Sequence, residues 1–155
     1  MEKKITKDTR MGVYGAIIRD GKIALVKKAC GGYKGLYDLP GGGIERGETP
    51  VETLHRELME EIGVKVVSER ILTVVSKTFK WDVNDELIQD LHHIGILYTV
   101  EIEGNELKTD ADGLDSLGGE WIDIDKIEEK EVSPFTWMAL KELGYKSVSY
   151  THLTL

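Results

Sequence analysis

The stretch from Gly42 to Val64 constrains this chain more than any other. Gly42 is followed by five residues, then Glu48, seven more, and the run Arg56-Glu57-Leu58-Met59-Glu60-Glu61-Ile62-Gly63-Val64. Thr49 reads as an N-cap, Pro50 as the first helical residue, and Glu52 as the reciprocal member of a capping box. Val51, Leu54, Leu58 and Ile62 recur at helical spacing and predict the core-facing stripe. Gly63 suits the left-handed position that ends a helix. The helix so defined holds Glu57, Glu60 and Glu61 in its last two turns. Side chains three and four apart on a helix are neighbours, so these acids share one edge and repel. The negative end of the macrodipole disfavours them further. Glu57 and Glu61 fall on one flank of the apolar stripe and Glu60 lies further round, so the acids border the protein body. A hard divalent cation wants several oxygen ligands and would turn that repulsion into coordination.

Upstream, Val13 to Ile18 and Ile23 to Lys27 read as strands joined by Asp20-Gly21, a hairpin turn signal. A glycine-rich loop follows from Ala29 to Gly35, and a short extended piece, Leu36 to Leu39, leads into Pro40-Gly41-Gly42-Gly43. That run cannot propagate a helix or a central strand and predicts a tight, backbone-exposing loop. Downstream, Val64 to Val67 and Ile71 to Thr78 are strand-like, and Trp81 to Asp90 reads as a polar connection. Ile94, Ile96, Tyr98, Val100 and Ile102 alternate as in a half-buried strand. An acidic loop, Gly104 to Gly119, precedes a short strand, Glu120 to Ile122. Ser133-Pro134 opens a second helix that runs through Leu143 and is closed by Gly144, with Phe135, Met138 and Leu140 facing the core. Lys146 to Leu155 is weakly patterned. Strands mixed with two main helices predict a mixed sheet covered by helices on its faces.

At 155 residues the chain is expected to form one domain, residues 1–155. Its net charge of −8 argues against a general nucleic-acid binder, and no DNA-binding surface is expected. A phosphorylated small molecule is still admissible where a metal neutralises the site. Cys30 is the only cysteine, which excludes an internal disulfide and fits a reducing compartment. No apolar run of roughly 18 residues or more is present, so no membrane span is expected. The charged N-terminus lacks the apolar centre of a signal peptide, and a cytoplasmic location is the expectation.

The Gly42–Val64 segment resembles the Nudix box of the Nudix (MutT-like) hydrolases and matches each of its fixed positions. The lead-in Leu39-Pro40-Gly41-Gly42-Gly43-Ile44-Glu45 and the later Gly119-Glu120-Trp121 are also similar to that family. The resemblance implies an α/β/α sandwich with a mixed β-sheet between helices. It also implies hydrolysis of a pyrophosphate bond in a nucleoside diphosphate linked to another moiety. Mg²⁺ is the implied cofactor, with Mn²⁺ able to substitute. Carried across by position, Glu57, Glu60 and Glu61 correspond to carboxylate metal ligands, with the Gly41 carbonyl as a further ligand. Arg56 would orient the glutamates, and Glu48 would pair with the arginine or reach the site through water. Glu57 is the first choice of general base. Asp115 stands where some relatives carry an extra acidic ligand; Asp112 and Glu120 compete with it. The helical spacing agrees, since Arg56 and Glu60 are i,i+4 neighbours and a guanidinium can hold a carboxylate in a fixed fork.

Among other residues, His55, His92 and His93 lack partners at zinc-like spacing and read as packing or surface groups. Cys30 has no histidine near it in sequence, and no nucleophilic role is expected. Tyr33, Phe79, Trp81 and Trp137 are candidates for stacking on a base, Phe79 and Trp81 first. Lys28, Lys34 and Arg19 are candidates for phosphate contact, although such residues are commonly solvated. The downstream signatures that the family associates with NADH, ADP-ribose and diadenosine polyphosphate cleavage are absent; Phe79 and Lys80 occupy the ADP-ribose place, and Trp81 and Asp82 that for diadenosine polyphosphates. A nucleoside triphosphate or derivative is the leading substrate expectation, ahead of a nucleotide sugar or ADP-ribose. A nucleotide-sensing module without turnover is the alternative from another class. Nudix proteins are often homodimers, and no feature of the sequence names a pairing surface.

Overall fold

Strand alternation sorts the core into two layers. In the computed structural model, which describes residues 2–110 and 116–147, β1 (Lys4–Ala16) sends Val13 to one face and Tyr14 to the other. The Val13 side packs with Leu54, Leu58 and Ile62 of α1 (Pro50–Ile62) and with Tyr98, Val100 and Ile102. The Tyr14 side packs with Leu25, Leu97 and the Phe135 and Leu140 side chains of α2 (Pro134–Glu142). Leu54, Leu58 and Ile62 are fully buried, each worth about 1.5–3 kcal/mol against exposure. One helix therefore covers each face of the β layer, as the α/β/α expectation requires.

The β layer is two sheets. β1 runs parallel to β7 (Leu87–Ile102) and antiparallel to β5 (Gly41–Gly43), while β6 (Val66–Asp82) is antiparallel to β7, in the order β5-β1-β7-β6. In the second sheet β3 (Lys22–Lys28) carries β8 (Ser116–Asp123) on one edge. Its other edge is shared by β2 (Ile18–Arg19) and β4 (Tyr37–Asp38), and every pairing is antiparallel. The strand expected from Val13 to Ile18 is thus split. At Ile17, whose carbonyl accepts from the Ala24 N–H at 3.0 Å, the chain leaves the first sheet for the second.

Other boundaries differ for definable reasons. Val66 to Asp82 is one strand, not two, and residues 83–86 alone make the turn expected from Trp81 to Asp90; Trp81 pairs with Gln89 and Asp82 with Ile88. Polar side chains mask those strand ends because both faces of the hairpin tip are partly solvated. Gly41–Gly43 is a short edge strand, not a loop. At φ +150° Gly41 comes so close to β1 that a Cβ would strike the Val13 carbonyl. Val51 is 37% exposed and does not join the buried stripe of α1. The α1 caps form as expected: Thr49 and Glu52 make the reciprocal capping box, and Gly63 is left-handed at φ 68°.

Candidate functional site

Arg56 organises the acidic edge of α1. Its Nε and Nη2 donate to Glu48 Oε2 and Oε1 at 2.7 and 2.8 Å, a bidentate fork. Its Nη1 donates to Glu57 Oε1 at 2.9 Å and to Glu60 Oε2 at 3.2 Å. Glu48 is further held by the Glu45 N–H at 3.1 Å and by the Thr53 hydroxyl at 2.9 Å. These donors, with the Arg56 hydrogen bonds foremost, hold the Glu48 carboxyl down at about 2. The same bonds to Glu48 and Glu57 push the guanidinium of Arg56 upward, so it stays charged.

Glu61 is anchored separately. It is buried, and its Oε1 accepts the Gly41 N–H at 3.1 Å. Along β5 the Ile44 N–H donates to the Met11 carbonyl and the Gly15 N–H to the Pro40 carbonyl. Antiparallel pairing alternates, so Gly41 lies in the wide pair, with its N–H and carbonyl turned away from β1. Gly42 faces α1: a Cβ there would lie 2.6 Å from the Glu57 carboxyl carbon. Glu48, Glu57 and Glu60 are therefore gathered by Arg56, while Glu61 is held on Gly41, the neighbour of the Gly42 that faces Glu57. Among the described residues no three His, Cys, Asp or Glu side chains stand in metal-binding geometry. Arg56 holds Glu48, Glu57 and Glu60, and the Gly41 N–H holds Glu61. The donor set itself is all oxygen, the chemistry that a hard divalent cation takes.

Of the competing acids, Glu120 lies on the wrong side. It pairs with Leu25, whose side chain belongs to the α2 layer, and it accepts the Tyr37 hydroxyl at 3.0 Å. Directly opposed strand residues share a face, so Glu120 is on the far side of the sheet from the α1 acids. Asp112 and Asp115 lie outside the described residues.

On the other face of the glycine strand a cavity of about 160 Å³ opens, lined by Gly41 and Gly42 with Arg10, Tyr33, Phe79, Trp81 and His93. The structure thus groups three of the four stacking candidates. Tyr33 packs on Phe79 with ring centroids 5.1 Å apart. Trp137 instead sits on α2 with Lys146 over its ring. Lys28 lines the cavity, whereas Arg19 donates to the Gly104 and Ile102 carbonyls and has a structural role. His93 is buried, with Nε2 2.8 Å from the Tyr14 hydroxyl and Nδ1 3.2 Å from that of Tyr33. Burial, helped by the charges of Arg10 and Lys28, lowers its pKa to about 4, so the ring is neutral at pH 7.

Arg10, Gln89 and Asp38 were not singled out in the sequence. Gln89 accepts the Trp81 indole N–H at 2.7 Å and donates to Asp8 at 3.0 Å, which sets the Trp81 ring plane. Asp38 is buried at the start of α2, accepting from Ser133 Oγ at 2.5 Å and the Leu39 N–H at 2.8 Å. Burial raises its pKa against those bonds. A lone acid before the Pro-Gly-Gly-Gly run was the only sequence signal for it.

A NUDIX domain model matches residues 9–148. The chain belongs to the Nudix family. It is 33% identical over 117 residues to an ADP-ribose pyrophosphatase of Methanocaldococcus jannaschii, covering 76% of this chain and 63% of that protein. An RNA pyrophosphohydrolase of Francisella tularensis subsp. mediasiatica is 29% identical over 85 residues, 52% of this chain and 55% of the relative. The chain therefore spans less than two-thirds of these curated relatives. Among solved structures, a MutT Nudix hydrolase from Burkholderia pseudomallei superposes with a TM-score of 0.71 at 26% identity, covering 88% of this chain and 98% of that one. The Nudix domain of Shewanella oneidensis NrtR, complexed with ADP ribose, has a TM-score of 0.70 at 17% identity over 89% of this chain and 88% of that one, a likeness of fold. No helix among the described residues is long and apolar enough to cross a membrane.

Proposed function

We propose that this Nudix chain hydrolyses a pyrophosphate bond in a nucleoside diphosphate linked to another moiety, with nucleoside triphosphates or their derivatives as the leading substrates. One observation carries the reading: the acids organised by Arg56 and an aromatic cavity lie on opposite faces of a strand made only of glycine. A molecule with a flat ring at one end and a polyphosphate at the other can engage both, passing over the side-chain-free edge.

In this reading Glu57, Glu60, Glu61 and the Gly41 carbonyl would hold Mg²⁺, which when bound neutralises phosphate oxygens and acidifies water. Arg56 keeps Glu57 and Glu60 aligned on the helix edge, and Glu48 holds Arg56 by its fork. Glu57 accepts the proton of the water that attacks phosphorus as the bridging P–O bond breaks. Asp115 is proposed as an additional acidic ligand, tested by Asp115→Asn. The name of the Methanocaldococcus relative favours ADP-ribose as the second substrate to examine.

The decisive experiment incubates the protein and Mg²⁺ or Mn²⁺ with nucleoside triphosphates, nucleotide sugars, ADP-ribose and 5′-triphosphorylated RNA, separating products by chromatography. Release of phosphate, pyrophosphate or a nucleoside monophosphate, lost in Glu60→Gln, supports the proposal. Ligand-induced thermal stabilisation without product from any member of the panel would overturn it in favour of a sensing module.

A further inference from the structure

Arg10 is the one arginine lining the cavity, and among the described residues its guanidinium makes no hydrogen bond or ion pair. The register shows where it stands. Arg10 pairs with His93, and Gly12, two residues along β1 on the same face, pairs with Gly43. Phe79 and Trp81 lie two strands away on β6, in rows opposite Leu91 and Gln89, toward the hairpin tip. The guanidinium therefore lies between the aromatic wall and the glycine edge. Its Nε is 3.7 Å from the point where a Gly43 Cβ would sit. The charge is felt inside the cavity, where it contributes to the shifts of His93, Tyr33 and Tyr14.

Arg56, by contrast, commits its donors to Glu48, Glu57 and Glu60. A polyphosphate crossing the glycine edge leaves the cavity beside Arg10, the position where a guanidinium fork meets two phosphate oxygens rather than a ring edge. Resting on the proposed function above, we propose that Arg10 is a substrate-binding residue that clamps a phosphate of the bound nucleotide as it leaves the aromatic cavity. Lys28 also lines the cavity, but it is a point charge and does not supply the planar fork.

The test uses the full chain with Mg²⁺ and compares wild type, Arg10→Ala and Arg10→Lys. Arg10 is exposed and unpaired among the described residues, so Arg10→Ala should melt as wild type does. Expected is a KM at least tenfold higher in Arg10→Ala, with kcat within threefold and Arg10→Lys intermediate. A non-hydrolysable α,β-methylene nucleotide, titrated calorimetrically, should lose affinity to the same degree whether its base is adenine, guanine, cytosine or uracil. A loss confined to one base would show that Arg10 reads the ring and overturns the clamp. Unchanged affinity and KM in Arg10→Ala overturn it as well, with the wild-type turnover leaving the wider reading intact. Wild-type protein that neither binds nor cleaves any nucleotide overturns the wider reading, and this assignment falls with it.

Discussion

At the scale of single residues, the site depends on an atom that Gly42 lacks. A Cβ at that position would press on both carboxylate oxygens of Glu57 at 2.7 Å, the far end of a flexible side chain. Gly42→Ala should therefore fold, because Glu57 can swing away, but turnover should fall by at least about tenfold, in line with the loss of an orienting contact. Steady-state kinetics beside a thermal melt separates the two effects. His93 gives a second prediction. Its ring titrates near 4 in the folded chain against 6.5 for an unperturbed ring. As pH falls the unfolded chain takes up the proton first. Stability is thus undiminished above about pH 6.5 and declines by about 3 kcal/mol as pH falls to about 4. Urea unfolding at pH 7 and pH 4.5 measures the decline, and NMR of the imidazole should show it neutral at pH 5.5. Glu48 acts in a lower window. Its folded pKa of about 2 lies below the 4.5 of a free carboxyl, so its contribution is complete above 4.5 and disappears toward 2.

At the scale of elements, α1 keeps its stabilising cap and the acids proposed to carry the chemistry at opposite ends. Thr49 caps its N-terminus through the Glu52 N–H at 3.2 Å, while the acids occupy its last turns. Thr49→Ala should cost about 1 kcal/mol and leave kcat near wild type, as read by chemical denaturation and turnover on the same preparation. Arg56→Lys keeps the charge but loses the fork to Glu48, and should lower kcat/KM by about 10–100-fold. The helix was legible in the sequence because capping, apolar period and termination are all local signals. β5 was not. Its strand character comes from Gly12, Val13 and Tyr14 on a distant part of the chain, and three glycines carry no propensity that announces such a partner.

At the scale of the whole molecule, two apolar cores hold the fold, one under each helix, and neither includes the acids. Chelation with EDTA should therefore abolish turnover while the far-UV circular dichroism spectrum is preserved. Added Mg²⁺ should raise the melting temperature of wild type more than that of Glu60→Gln, because binding to the native state alone stabilises it.

The sequence by itself determined the acidic helix, its caps, the Arg56–Glu60 spacing and the family, because each is encoded within a few turns of one segment. The tertiary structure decided which face each group occupies. Arg10, Tyr33, Phe79 and His93 come from separate strands and loops and meet through pairing register. Glu120 is carried away from the α1 acids by strand parity, although its position in the motif is favourable. Register is a long-range property, set by which strands bury which faces, and a slip of one residue would reverse every such assignment.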